Sequence, residues 1–239
     1  MSGQSSTTAY SPEASGETTI SILNRQLAGR LVKLLVGPER VEWTIHESLL
    51  CANSKFFVAA LRGPWKERKG VIELPEDEPA AFGLFANWIY ESIREVRSLP
   101  PIKSDNELRN YLALYIMSRK LLVQALSKGS FSAIYEYFTK ENTNQINEAI
   151  KPKVQDVHYI FDNTTESDSM RWYFCDLILL HCQCEKPMSL DEVAGWQKFT
   201  DDRADVGSGM MRSMCQYIAT VNALPLKNKA LSEANEYVA

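Results

Sequence analysis

His46 and Glu47 begin a pattern that could hold zinc and a general base on one helical face if a second histidine followed four positions after the first. That position is Leu50, so the second ligand is missing and the pair reads as a helix-start histidine with structural hydrogen bonds. Cys175, His181, Cys182 and Cys184 form the metal-like cluster of the sequence, because thiolate and imidazole suit zinc. A Cys-x-Cys pair is not the usual finger spacing, and Cys175 falls in an apolar run where buried cysteine is common. The set therefore reads as a helix end with incidental thiols, with zinc as the alternative. Gly207-Ser208-Gly209 is a lone Gly-x-Gly without a preceding strand, a third glycine or a following Lys-Ser/Thr. It reads as a loop before a methionine-bearing helix rather than a phosphate cradle. No Gly-x-Ser-x-Gly elbow is present to supply a hydrolase nucleophile. Lys66-Glu67-Arg68-Lys69 is short and interrupted by an acid, which is the pattern of a solvated turn. Met210, Met211 and Met214 recur at helical spacing and read as core, the alternative being an adaptable binding surface.

The 239 residues suffice for one large or two small domains. A net charge of -4 argues against a non-specific nucleic-acid binder, which needs surplus Lys and Arg to replace phosphate counterions. Five cysteines, an odd number without framework spacing, point to a reducing setting. The Ser/Thr-rich start has no apolar core of a signal peptide, and no run reaches the roughly 18 apolar residues of a membrane span. The expectation is an intracellular protein of cytoplasm or nucleus, with no membrane and no nucleic-acid partner.

The elements that would carry any site follow from periodicity. Residues 1–26 are polar and aperiodic and read as a disordered tail. Leu31–Val36 is β-prone, Gly37-Pro38-Glu39-Arg40 has turn chemistry, and Val41–Ile45 alternates, so the pair predicts a hairpin. From His46 to Leu61 the stripe Leu50, Phe57, Leu61 is helical, with Ser54 placed to cap a second short helix. Val71–Leu74 is a third strand. Asp77-Glu78-Pro79 opens a helix whose core face is Phe82, Phe85 and Ile89, widened by Leu84 and Trp88. Ser104 to Glu107 is a capping box before a helix carrying Leu108, Tyr111, Leu112, Tyr115, Leu122 and Leu126. Another helix is expected over Phe131–Tyr137, a linker over 139–156, and a helical region over 157–222. That region includes an apolar helix from Met170 to Cys182 and a helix opened by a Ser189–Glu192 capping box, and a flexible tail is expected after it over 223–239.

The order of these elements over 27–138 resembles the BTB/POZ fold. The stretch His46-Glu47-Ser48-Leu49-Leu50-Cys51-Ala52-Asn53-Ser54-Lys55-Phe56-Phe57 is similar to that family's spacing of a His, a Leu, a small residue, a Ser and a Phe. Val71-Ile72-Glu73-Leu74-Pro75-Glu76-Asp77 with Phe82, Phe85, Trp88 and Tyr90 resembles the fungal version, and Tyr111–Tyr115 with Lys120-Leu121-Leu122 resembles a later family helix. Asn163-Thr164-Thr165 before Met170-Arg171 is similar to an asparagine–threonine turn ahead of an arginine-bearing helix in fungal members.

The resemblance implies a mixed α/β (α+β) fold, a small sheet flanked by helices, followed by a mainly helical C-terminal region. It implies protein partners, a homodimer or hetero-oligomer, no cofactor and no catalysis, with recruitment to a cullin-type ubiquitin ligase or an enzyme with an unrecognised site as alternatives. Self-association in related domains uses the first strand and the helices after the histidine. The candidate interaction residues are therefore Leu31, Lys33, Glu47, Leu50 and Asn53, with Glu47 and Asn53 expected as exposed contacts. In the transcription-factor branch an Asp on the first strand and a basic residue after the His form a charged pocket at the dimer seam. Those positions hold Leu31 and Glu47 here. The hydrophobic–any–acidic triplet of cullin binders is replaced by Ile102-Lys103-Ser104.

Overall fold

The computed structural model describes residues 27–63, 71–91, 93, 98–140, 152–182, 190–203 and 205–209. Strands β1 (Leu31–Val36) and β2 (Val41–His46) are antiparallel, with Val32 opposite Ile45 and Leu34 opposite Trp43. The hairpin turn closes through Arg40 N–H donating to the Gly37 carbonyl at 3.0 Å, with Pro38 at its second position. Gly37 is required there: its φ is +77°, and a Cβ would come within 3.0 Å of Pro79. Strand β3 (Val71–Leu74) pairs parallel with β1, giving the order β2-β1-β3. A parallel partner needs a crossover, and helices α1 (Glu47–Asn53) and α2 (Lys55–Arg62) lie within it. Alternation along β1 sends Val32, Leu34 and Val36 into the core and leaves Leu31 and Lys33 outside.

Ser54 divides α1 from α2 as the sequence predicts. Its hydroxyl accepts from Phe57 N–H at 3.2 Å and donates to the Leu121 carbonyl at 2.6 Å. Helix α3 (Pro79–Glu91) begins on a proline, which lacks the N–H that a first turn leaves unpaired. It buries Phe82, Phe85, Trp88 and Ile89, and Phe85 stacks on Phe57 at 6.1 Å. Helix α4 (Asp105–Lys120) starts at Ser104, which accepts from Glu107 N–H at 3.3 Å. The reciprocal bond of the capping box is displaced by one residue, because Glu107 accepts from Lys103 N–H at 2.7 Å.

The helix expected to run through Leu122 and Leu126 is two helices. Leu122 has φ +57° and is 58% exposed. Val123 N–H donates to the Ser118 carbonyl at 2.8 Å and Leu122 N–H to that of Arg119 at 3.1 Å, the paired bonds of a Schellman ending with leucine in glycine's place. Helix α5 (Gln124–Lys140) then contains the expected Phe131–Tyr137 segment as its interior. Helix α6 (Val154–Asn163) starts inside the stretch expected to be linker, and α7 (Ser169–Cys182) and α8 (Leu190–Asp202) follow. The Ser189 cap lies outside the described residues. Residues 205–209 are helical, a correction to the loop expected around Gly207-Ser208-Gly209. The turn packs so tightly that a Cβ on Gly209 would lie 2.9 Å from Cys175 Sγ.

Two cores result. The first joins the sheet, α1, α2 and α3 to Ala113, Leu114 and Met117 of α4. The second joins Leu108, Tyr111, Leu112 and Tyr115 of α4 and Phe131, Ile134 and Phe138 of α5 to α6, α7 and Phe199 of α8. Helix α4 is thus buried on two sides and belongs to both. No helix among the described residues is long and apolar enough to cross a membrane.

Candidate interaction surface

The register of the sheet defines its open face. Leu31, Lys33 and Leu35 share it with His46, Thr44 and Glu42 of β2 and with Val71 and Glu73 of β3. Leu31 is 53% exposed and Val71 43%. Lys33 does face outward as expected, and pairs with Glu42 at 2.7 Å. At one corner Arg40 grips Glu73 through two guanidinium nitrogens, at 2.8 and 3.2 Å. That fork holds the Glu73 carboxyl below its ordinary value.

Glu47 occupies the first turn of α1, where a carboxylate meets the positive end of the helix. Its N–H donates to the Arg30 carbonyl at 2.9 Å, which pins the start of α1 to the start of β1. Its carboxylate lies 2.7 Å from Arg30 Nε and 3.6 Å from Arg62 Nε. Glu47 is therefore half-buried in a clamp of two arginines rather than an exposed contact. Asn53 is also half-buried: its Nδ2 donates to the Leu49 carbonyl at 2.9 Å, and its Oδ1 is buried without a partner. Leu50 is fully buried in the sheet core, so its inclusion among surface candidates is corrected. The helical stripe that made Leu50 conspicuous is the stripe that turns inward.

The structure thus keeps Leu31, Lys33 and Glu47 in one neighbourhood and removes Leu50 from it. It adds Arg30, Arg62 and Val71, which sequence reasoning did not single out. Val71 was reachable once Lys33 was assigned as its neighbour across a parallel pair. Arg62 is 15 positions from Glu47, and only the packing of α2 beside α1 brings them together. Behind this corner His46 Nδ1 hydrogen-bonds the Tyr90 hydroxyl at 3.1 Å, the structural bond expected of that histidine. Burial pushes the Cys51 thiol above its ordinary value, and its sulfur lies 3.8 Å from the Phe57 carbonyl.

The second concentration of polar chemistry is in the helical half. A cleft of about 420 Å³ is lined by Phe161, Glu166, Arg171, Trp172, Cys175 and Asp205, among others. Arg171 and Asp205 there are engaged with each other, and Arg171 also with backbone. Arg171 is buried and reaches Asp205 at 2.8 Å, Thr164 Oγ1 at 3.0 Å, the Phe161 carbonyl at 2.5 Å and the Thr164 carbonyl. Arg203 binds both oxygens of Asp205, at 3.1 and 3.2 Å, as well as Asp162 and the Phe161 carbonyl. The Arg203 bonds hold the Asp205 carboxyl below its ordinary value. Asp168 caps α7 through Met170 N–H at 3.0 Å while accepting from Tyr115 at 2.7 Å and facing Arg119 at 3.2 Å. The asparagine–threonine turn is therefore what Arg171 ties down.

Of the metal-like cluster, Cys175 is buried and its thiol is pushed up to about 12, chiefly by burial. The side chains of His181 and Cys182, together with Cys184, lie outside the described residues, as do Lys66–Lys69 and Met210, Met211 and Met214. Among the described residues no three His, Cys, Asp or Glu side chains form a metal-holding group. In comparisons with known proteins, the chain matches no family model and no curated protein.

Proposed function

We propose that this chain is a protein-interaction module of the BTB/POZ type, a scaffold that self-associates and carries out no catalysis. The observation that supports it most is the open sheet face: Leu31 and Val71 stand exposed on it, bordered by the ion pairs Lys33–Glu42, Arg40–Glu73 and Arg30–Glu47. An apolar centre with a charged rim is the composition of a specific protein interface. The element order, strand, strand, two helices, strand, helix, then a helix pair, agrees with what the family resemblance implies. Ser54, a residue of the quoted motif, has a structural reason to be serine, since it caps α2 and bonds the end of α4. The position where related dimers place a basic residue holds Glu47, and its partners are Arg30 and Arg62. The strand position that holds an Asp in those dimers is Leu31 here, so Glu47 pairs within its own chain and the charged pocket of those dimers is not reproduced.

Light scattering on the purified chain across a range of concentrations tests the reading, with a dimer or larger species expected. Leu31→Glu should shift that species to monomer, because it places a charge at the centre of the proposed contact. A strict monomer at high concentration for the unaltered chain would overturn self-association. Clean capture of a cullin scaffold in a pull-down would replace the self-associating scaffold with a ubiquitin-ligase adaptor.

A further inference from the structure

We propose that the outer edge of β2 pairs antiparallel with the same edge of a second copy of this chain, in a two-fold register centred on Trp43. This deepens the self-association reading and rests on it. The parity of the ladder leaves the edge open. Glu47 N–H donates to the Arg30 carbonyl at 2.9 Å, and bonded positions alternate along an antiparallel pair. Val41, Trp43 and Ile45 therefore turn their main-chain groups to Val36, Leu34 and Val32. Gly37 N–H donating to the Leu74 carbonyl at 2.9 Å gives the same parity from the other side of β1, because it turns Lys33 and Leu35 to β3. The N–H and C=O of Glu42 and Thr44 point away from the sheet and have no partner among the described residues. Both residues are exposed.

Edge strands are ordinarily blunted by a lysine, a proline, a bulge or shortness. The opposite edge, β3, is four residues long and is followed by Pro75. β2 is six residues long, contains neither lysine nor proline, and keeps an unbroken register with β1 from Val41 to His46. Residues directly opposite in an antiparallel pair face the same side, so a two-fold arrangement sets one residue opposite its own copy. Centring on Glu42 would bring two carboxylates together. Centring on Thr44 or Ile45 would call on the carbonyl of His46, the cap residue, which serves the first turn of α1. Centring on Trp43 avoids both. It sets Glu42 opposite Thr44 of the second copy, each N–H meeting the other's carbonyl, and the symmetry repeats the pair. On the open face a carboxylate then stands beside a hydroxyl donor. On the other side Val41, 37% exposed, comes opposite Ile45 of the second copy. A strand pair this short would not hold alone. It merges the open faces of two copies into one sheet surface, so the edge supplies register and the face carrying Leu31 and Val71 supplies area.

Disulfide trapping in the full chain tests the register. Chains carrying Glu42→Cys and chains carrying Thr44→Cys are mixed, oxidised and read by mass spectrometry. Opposite residues of a bonded pair lie about 5.5 Å apart between Cα atoms, within disulfide reach, whereas diagonal neighbours lie about 7–8 Å apart. A link from position 42 of one chain to position 44 of another should therefore form in the mixture, in excess of the 42–42 and 44–44 links. Light scattering on the same chains reads assembly itself. Thr44→Pro removes an N–H that points outward and leaves the ladder to β1 intact, and should raise the concentration needed for assembly about tenfold or more. Thr44→Glu, which sets two carboxylates opposite each other, should act in the same direction and covers the case of a proline variant that does not fold. Self-association without the 42–44 link, or undiminished in a folded Thr44 variant, would overturn this inference and leave the scaffold reading standing. A strict monomer would overturn both.

Discussion

The sheet core and the helical core meet on one helix, α4, and they are built with different chemistry. The sheet core is aliphatic and aromatic, and among the described residues its buried polar ties include Ser54 bonded to the Leu121 carbonyl and Asp77 paired with Lys120 at 2.8 Å. The helical core is rich in tyrosine and phenylalanine, with Tyr115, Phe131, Tyr173, Phe138 and Phe174 linked in a run of ring contacts. It is wired by buried or half-buried charges around Arg171, Arg203, Asp168 and Asp205. The sheet core can rely on backbone ladders to satisfy its polar groups. The helical core cannot: the end of α6 leaves carbonyls unpaired, and Arg171 and Arg203 collect them.

The comparison breaks hardest at Arg171. Arg171→Met removes one of the two arginines that hold Asp205 and the Phe161 carbonyl and takes the guanidinium from the Thr164 carbonyl, and should cost about 2–4 kcal/mol, read by denaturant unfolding. If α4 couples the cores, amide exchange protection in β1 and α7 will fall together. Loss confined to α7 would make the cores separate units. Ser54→Ala probes the other side and should cost about 2 kcal/mol, about half from the lost cap and the rest from leaving the Leu121 carbonyl buried and unpaired. Leu122→Gly relieves a left-handed leucine whose side chain is exposed. It should raise stability by about 0.5–1 kcal/mol, a rise in Tm of about 1–4 °C.

The smallest effect separates two carboxylates within the helical half. Burial raises the Asp156 carboxyl above its ordinary 3.8, with Arg109 and Lys153 opposing. Its folded value therefore exceeds its unfolded one, so ionisation at neutral pH is a destabilising contribution that fades as pH falls through the folded value. Asp156→Asn should be the more stable protein at neutral pH and lose that advantage towards pH 3.8. Asp205 is depressed by its bonds to Arg203, so the sign inverts. Asp205→Asn should be less stable at neutral pH, the deficit shrinking as pH drops below 3.8. Melting curves across acidic pH check both.

Much of the sheet half was legible from residues alone. Alternation in Leu31–Val36 and Val41–Ile45, the breaker after Val36, the Ser54 cap and the proline at position 79 are local signals, and each acts within a few residues of itself. Leu122 was misjudged because its helical spacing is correct; the chain ends the helix there with backbone bonds that no side-chain pattern encodes. Leu50 was misplaced because an amphipathic stripe identifies a face without saying which neighbour covers it. Arg171 was noticed within a recurring turn, but its partner Asp205 lies 34 positions away and nothing local marks the pair.

By itself the sequence determined where the strands and helices of the sheet half begin and that the chain carries no strong charge excess, because these depend on propensity, period and composition. The tertiary structure decided that α4 serves two cores, that Glu47 is held by Arg30 and Arg62, and that the C-terminal helices close over α4 and α5. Those outcomes depend on which apolar stripe meets which, and on the satisfaction of buried polar groups by residues distant in the chain. Such pairings are selected by the packed whole, since no short segment contains both members.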